Sequence, residues 1–133
     1  MTIAVLSGLM YPLLNGRLPA WVTPHFFMTK EEALALAPSA DIGWFDMYDK
    51  DDMAATIAAA TNLRWLNSIY AGADHMPLDL LRQRGVTVTN GAGINAITIA
   101  EYVVMGMLTV AKGYRDVVRA QDRREWLMDS PGK

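Results

Sequence analysis

Short apolar runs alternate with helix-forming segments along most of this chain, and the alternation predicts an α/β fold. The runs are rich in β-branched and aromatic residues, and glycine or polar residues follow them. They predict five strands, at about residues 2–7, 25–28, 41–45, 63–70 and 86–90. Because parallel strands need crossover connections, the helices between them predict a parallel sheet. We therefore expect a flavodoxin-like three-layer α/β sandwich with a five-stranded parallel sheet.

Capping residues place the helices between these strands. Thr29 followed by Glu32 forms a capping box, which predicts a helix from residue 30 to about residue 37. Asp49 or Lys50 begins a further helix, whose two early acidic residues suit the positive end of the helix dipole. Pro77 begins the next helix, and Gly85 is placed to end it in a left-handed conformation.

The last apolar stretch differs from the others in length. Residues 97–126 contain no proline and glycine only at 106 and 113, so the pattern predicts one long helix. Its first half is apolar almost all round, which predicts burial on more than one side. Its second half is charged and amphipathic. We expect a flavodoxin-like domain over residues 1–96, a long inter-domain helix over 97–126, and the start of a linker over 127–133.

Two loops with glycine follow the fourth and fifth predicted strands. They are Ala71-Gly72-Ala73-Asp74 and residues 91–95. In a parallel sheet both loops emerge at the carboxyl edge, where open α/β folds bind ligands. Glycine there lets main-chain N–H groups approach a ligand closely. The loops therefore predict the two walls of a small anion site.

The second loop has more than one possible use. Residues 91–96 match G-x-G-x-x-A after a strand and before a helix, as in a dinucleotide phosphate loop. The second strand of that motif would fall inside the predicted long helix, so a tight turn presenting Asn95 is favoured. The Asn95 amide can donate to a carboxylate or to a nicotinamide carbonyl. Asn is equally favoured as a helix N-cap. Thr98 lies three residues further on and can face the same cleft.

Other catalytic interpretations find less support. Asp74 and His75 are adjacent, but neighbouring residues on a turn rarely face one another, and we expect Asp74 to close an Asx turn instead. No His, Asp and Glu cluster has metal-ligand spacing. The segment after the first strand lacks both the acids of a receiver domain and the hydroxyl-rich phosphate loop of an FMN-binding flavodoxin.

Composition narrows the class of protein. The chain has 133 residues, of which 52% are apolar and 20% charged, as expected for a folded domain with a core. The net charge of −2 and the lack of a long basic block argue against nucleic-acid binding. There is no cysteine, which fits a reducing compartment, and we expect a cytoplasmic location. No apolar run approaches the roughly 20 residues of a membrane span, so no membrane partner is expected.

Several segments resemble the substrate domain of the D-isomer-specific 2-hydroxyacid dehydrogenases. The first is Leu63-Arg64-Trp65-Leu66 running into Ala71-Gly72-Ala73-Asp74-His75. The second is Gly85-Val86-Thr87-Val88-Thr89-Asn90, followed by Gly93-Ile94-Asn95-Ala96 and Ile99-Ala100-Glu101-Tyr102. Within that family the sequence is most similar to glyoxylate/hydroxypyruvate reductases and to the related formate and phosphite dehydrogenases.

The resemblance implies one half of a two-domain oxidoreductase that uses NAD or NADP. The enzyme would reduce a small 2-oxo acid of the glyoxylate or hydroxypyruvate type to the D-2-hydroxy acid. By this resemblance the N–H groups of Ala71, Gly72 and Ala73 bind the substrate carboxylate. Asn95 would contact both substrate and nicotinamide, and Thr98 would lie near the cofactor.

The resemblance also implies that much of the enzyme is missing. The family's catalytic arginine, glutamate and histidine and its G-x-G-x-x-G loop lie in a Rossmann domain and a later segment that these residues do not contain. We therefore expect no catalytic residue in this chain, no turnover by it alone, a Rossmann domain as its partner, and a homodimer through the long helix. The alternative is a stand-alone flavodoxin-like module that binds a small anion or another protein.

Overall fold

The structure is a computed structural model that describes residues 1–129. Met1–Ala92 form one compact unit, and a second unit begins at Gly93. The linker predicted over residues 127–133 falls partly outside the described residues, since residues 130–133 are not described.

The first unit is built on a five-stranded sheet in which every pairing is parallel. The strand order is β2-β1-β3-β4-β5, which is the flavodoxin-like order. β1 lies between β2 and β3, and its Val5 is in register with His25 on one side and Gly43 on the other. The predicted fold and parallel sheet are confirmed. The strands are β1 Thr2–Ser7, β2 Val22–Phe27, β3 Ile42–Trp44, β4 Trp65–Asn67 and β5 Thr87–Thr89.

β3 and β5 are each one residue shorter at both ends than predicted, and β2 and β4 differ more. β2 begins three residues earlier than expected and includes Pro24, which an edge strand tolerates because one side of it needs no ladder partner. β4 ends at Asn67 rather than residue 70. The reason is local, because the N–H of Ile69 donates to the Asp46 carboxylate at 2.6 Å instead of to a neighbouring strand.

Four short helices connect the strands, and two of their ends follow the predicted capping signals. The Thr29–Glu32 capping box forms, with both reciprocal hydrogen bonds present. The Asp49 carboxylate caps the helix that follows it, and Gly85 ends another helix at φ +67°. A 3₁₀ turn precedes the first helix and another follows the second. The helices are α1 Tyr11–Leu14, α2 Lys30–Leu36, α3 Lys50–Ala59 and α4 Leu78–Gln83.

The core of the first unit lies on both faces of the sheet. Val5 points to one face, where it joins a large buried cluster with side chains from α2, α3 and α4. Ala4 and Leu6 point to the other face and join a smaller cluster near α1. Because successive strand residues face opposite sides, β1 alone contributes to both clusters. This arrangement gives the three layers of the sandwich.

The second unit contains two helices where one was predicted. They are α5, Ala96–Ala111, and α6, Tyr114–Asp122, and their axes are bent by 70°. Gly113 lies at the break with φ +56°, a left-handed conformation that ends one helix and lets the next begin at a new angle. The prediction of one continuous helix over residues 97–126 is therefore wrong.

The prediction that α5 is buried is also wrong for this chain. No residue of α5 is buried, and Val104 and Leu108 are each more than half exposed. A helix that is apolar all round needs neighbours on several sides, and residues 1–129 do not supply them. Within these residues no single helix meets the length and hydropathy of a membrane span, although the bent α5–α6 pair meets them jointly.

Candidate active site

A loop at the carboxyl edge of the sheet carries main-chain donors that have no partner. It consists of Ala71, Gly72 and Ala73, and we call it the amide loop. None of its three N–H groups donates to an acceptor within residues 1–129. Ala71 and Gly72 are exposed and Ala73 is partly exposed. Neighbouring free N–H groups of this kind can donate hydrogen bonds to an anion.

The amide loop is fixed by hydrogen bonds through its carbonyl groups. The Asn90 side chain donates to the carbonyl of Ala71 at 2.7 Å, and the N–H of Gly91 donates to the carbonyl of Tyr70 at 3.2 Å. The N–H of Met76 closes the far side by donating to the carbonyl of Ala73 at 3.0 Å. The carbonyls of Ala71 and Ala73 are therefore occupied, while the three N–H groups stay available.

Asn95 and Thr98 belong to the second unit. Asn95 occupies the N-cap position of α5, as one of its two predicted uses required, but its side chain makes no capping hydrogen bond. Both side chains are exposed. The Asn95 amide and the Thr98 hydroxyl are thus available for other contacts at the start of this helix. Their contacts with substrate and cofactor stay predictions.

The neighbours of the amide loop do not form a catalytic dyad. The Asx turn predicted for Asp74 is wrong, because the carboxylate accepts no hydrogen bond within residues 1–129. His75 packs edge-on against the Tyr70 ring, with centroids 5.9 Å apart, and its buried Nε2 has no hydrogen-bond partner among these residues. Lys50 Nζ lies 3.0 Å from the centre of the same ring. Tyr70 therefore anchors the base of the loop between two side chains.

Three polar residues that support this loop were not singled out from the sequence. They are Asp46, Ser68 and Asn90. Asp46 and Ser68 are 2% exposed, and the two side chains are hydrogen-bonded to each other at 2.6 Å. Each of the three residues lies one or two positions beyond a strand, at the sheet edge that binds ligands in open α/β folds. A polar residue shortly after an apolar strand is the sequence signal that could have identified these three residues.

A separate cavity of about 260 Å³ lies where β1 and β3 end. It is lined by Lys30 and by more acidic groups than basic ones, among them Asp49 and Asp52. Lys30 forms a salt bridge with Asp52, and this hydrogen bond and charge raise the pKa of the Lys30 ammonium. The surplus of carboxylates makes the cavity a poor site for an anionic substrate. Within residues 1–129, no group of three or more His, Cys, Asp and Glu side chains is placed to hold a metal ion.

Comparison with known proteins decides the family. The model of the D-isomer specific 2-hydroxyacid dehydrogenase catalytic domain matches residues 14–123, which is most of the chain. The chain belongs to this family. The resemblance seen in the loops at residues 71–75 and 93–96 is thereby confirmed.

Individual relatives match only part of their own length. Erythronate-4-phosphate dehydrogenase of Tolumonas auensis is 31% identical over 62 residues, which are 47% of this chain and 17% of that protein. A D-isomer specific 2-hydroxyacid dehydrogenase family protein from Aeromonas salmonicida superposes with a TM-score of 0.66 at 23% identity, covering 96% of this chain and 41% of that one. NAD-dependent formate dehydrogenase from Staphylococcus aureus, solved with NAD, superposes with a TM-score of 0.55 at 19% identity, covering 96% and 44%. The chain thus spans less than half of these proteins.

Proposed function

We propose that this chain is the substrate-binding half of an NAD(P)-dependent oxidoreductase that reduces a small 2-oxo acid to the D-2-hydroxy acid. The amide loop would hold the substrate carboxylate through the N–H groups of Ala71, Gly72 and Ala73. The observation that supports this most directly is that these three donors have no partner within residues 1–129, while the carbonyl groups of Ala71 and Ala73 are occupied.

The donors at this loop favour a small, unphosphorylated substrate of the glyoxylate or hydroxypyruvate type. Main-chain N–H groups can hold a carboxylate or a phosphate, but a substrate that carries both groups would call for an Arg or Lys beside the loop as well. The nearby cation, Lys50, is directed onto the Tyr70 ring, and its Nζ is buried. The relative that acts on erythronate 4-phosphate makes a phosphorylated hydroxy acid the competing substrate class.

The cofactor of the complete enzyme is NAD or NADP, and most of its binding groups would come from a Rossmann domain outside these residues. Within this chain Asn95 and Thr98 fit a contact with the nicotinamide, because the Asn95 amide is not used as a helix cap. When bound, the cofactor supplies the hydride. This chain would contribute binding and orientation of the substrate, and no catalytic acid or base.

The exposed apolar surface of α5 supports association. Ten large apolar side chains at residues 97–114, nine of them on α5, would be buried by a neighbouring Rossmann domain and by a second copy of the chain, and we propose a homodimer through α5. Apolar patches of this extent mark interaction surfaces in folded proteins. A cytoplasmic location, where the cofactor is plentiful, completes the proposal. The exposed residues are Ile97, Ile99, Tyr102, Val103, Val104, Met105, Met107, Leu108, Val110 and Tyr114.

The test is to express the complete reading frame that contains this chain and to assay NADH and NADPH oxidation. The substrates are glyoxylate, hydroxypyruvate and 3-phosphohydroxypyruvate. We expect turnover with at least one of the first two and none by residues 1–133 alone. Turnover with the phosphorylated acid only would overturn the substrate class, and no turnover with any 2-oxo acid would overturn the proposed function in favour of a binding module.

A further inference from the structure

The carboxylate of Asp46 lies at the centre of a buried hydrogen-bond network next to the amide loop. Its Oδ1 accepts from the Ser68 hydroxyl at 2.6 Å, and its Oδ2 accepts from the Ile69 N–H at 2.6 Å and from Trp44 Nε1 at 2.7 Å. Asp46 is 2% exposed. A buried carboxylate is tolerated at this depth because these donors replace its water.

The network continues to the residue before the loop. The Ser68 oxygen accepts from the N–H of Tyr70 at 3.1 Å, so Asp46 reaches the backbone of Tyr70 through one hydroxyl. The Tyr70 hydroxyl donates to the carbonyl of Met47 at 3.2 Å. The segment that follows β3 therefore holds residues 68–70 at three points, directly ahead of the three free N–H groups.

We infer that Asp46 is a positioning residue, which acts through Ser68 and Tyr70 to aim the amide loop at the substrate carboxylate. The inference rests on the proposed function. Asp46 is buried and its oxygens are already used by Trp44, Ser68 and Ile69, so it touches no substrate. Its role is to fix the backbone direction from which the N–H groups of Ala71, Gly72 and Ala73 project.

Because Asp46 is charged, a role in positioning the amide loop can be distinguished from a direct effect of its charge on substrate binding. A negative charge near an anion site weakens anion binding, so an Asp46→Asn variant would bind a carboxylate more tightly if only the charge mattered. If Asp46 instead positions the amide loop, the same variant binds the carboxylate more weakly. Asn has only one side-chain oxygen that can accept, so the Ser68 hydroxyl loses its acceptor. The two accounts therefore predict opposite signs for one substitution.

The experiment measures the dissociation constant of oxamate, a non-reactive analogue of a 2-oxo acid, by NMR titration of the ¹⁵N-labelled chain. The variants are Asp46→Asn, Ser68→Ala and Ser68→Thr, which restores a hydroxyl. Thr56→Ala is the matched control, since it also removes a buried hydroxyl, one that donates to the carbonyl of Asp52 at 2.9 Å away from the loop. Tyr70→Phe removes only the contact with Met47 and keeps the test informative if a buried variant does not fold.

We expect oxamate to bind at least fivefold more weakly to Asp46→Asn and Ser68→Ala, and two- to threefold more weakly to Tyr70→Phe. Ser68→Thr and Thr56→Ala should stay within twofold of the wild type, although Thr56→Ala loses thermal stability. Unchanged or tighter binding by the Asp46, Ser68 and Tyr70 variants would overturn the positioning role. Absence of shifts at residues 71–73 in the wild type would overturn the proposed function instead.

Discussion

The side-chain amide of Asn90 lies 2.7 Å from the carbonyl oxygen of Ala71, so the residue after β5 holds the loop after β4. This contact joins two segments that are 19 positions apart in the sequence. This hydrogen bond occupies the carbonyl of Ala71 and leaves the N–H groups of residues 71–73 free. The candidate site therefore depends on the pairing of β4 with β5 as well as on the loop itself.

Replacing Asn90 with Ala should loosen the amide loop. We expect the oxamate dissociation constant to rise severalfold, because one hydrogen bond contributes about 1 kcal/mol and its loss lets the loop move. Asn62→Ala is the control, since Asn62 makes a matching exposed contact with the carbonyl of Pro38 at 2.8 Å. Equal oxamate affinity in the two variants would contradict a role for Asn90 at the site.

The glycines at residues 85 and 106 should respond to alanine in opposite ways. Gly85 has φ +67° and ends α4 with hydrogen bonds from its own N–H to Arg82 and from Val86 to Leu81, so Gly85→Ala should cost about 1 kcal/mol. Gly106 lies inside α5 with open space around it, so Gly106→Ala should stabilise that helix by about 0.5–1 kcal/mol. Urea unfolding followed by circular dichroism measures both, and effects of the same sign would contradict the assigned conformations.

Arg124 adopts a left-handed conformation, with φ +56°, at the end of α6. The N–H of Arg124 donates to the carbonyl of Gln121 and that of Glu125 to Ala120, which is a helix-ending arrangement that favours glycine. Arg124→Gly should therefore stabilise α6 by about 1 kcal/mol. Arg124→Ala removes the same charge but keeps the strain, and a thermal midpoint as high as that of the glycine variant would contradict the explanation.

The apolar surface of α5 should drive association of the chain. We expect sedimentation velocity to detect dimers or larger species that dissociate on dilution. Leu108→Lys should weaken association by placing a charge on the face that also carries Val104 and Met105. Thr61→Lys places the same charge on an exposed residue of the first unit, outside α5, and serves as the comparison. A strict monomer at high concentration would contradict association through α5.

The salt bridge between Lys30 and Asp52 predicts a dependence of stability on pH. Because the folded-state pKa of Lys30 is raised above 10.5, its contribution is fully present below that pH and is lost as the pH rises through the raised pKa. The difference in thermal midpoint between wild type and Lys30→Gln should thus shrink above pH 10.5. Arg82, which pairs with Asp79 at 3.2 Å, stays charged in this range, so Arg82→Gln should show a constant difference.

The sequence predicted the fold where local and global signals agreed. The capping box at Thr29 and the left-handed Gly85 each mark a helix end that formed as expected, and the helix expected to start at Asp49 or Lys50 begins at Lys50. The parallel sheet could be inferred because alternating strands and helices require crossover connections. The edge strand β2 was underestimated because Pro24 usually interrupts a strand.

The remaining errors come from information that periodicity does not carry. Gly113 breaks the last helix, yet Gly106 in the same apolar stretch does not, and only the backbone conformation separates the two. Burial of α5 was predicted from its composition, but burial needs a covering surface that residues 1–129 lack. Asp46 and Ser68, which support the site, are hydrogen-bonded to each other although they are 22 positions apart in the sequence, and no local pattern reveals such a contact.

The central claim is that the amide loop binds the carboxylate of a 2-oxo acid. Titrating oxamate into the ¹⁵N-labelled chain and following each main-chain N–H signal tests it most directly. The account predicts saturable shifts that are largest at Ala71, Gly72 and Ala73. Shifts centred instead on the cavity around Ser7 and Lys30, or no saturable shift at residues 71–73, would contradict it.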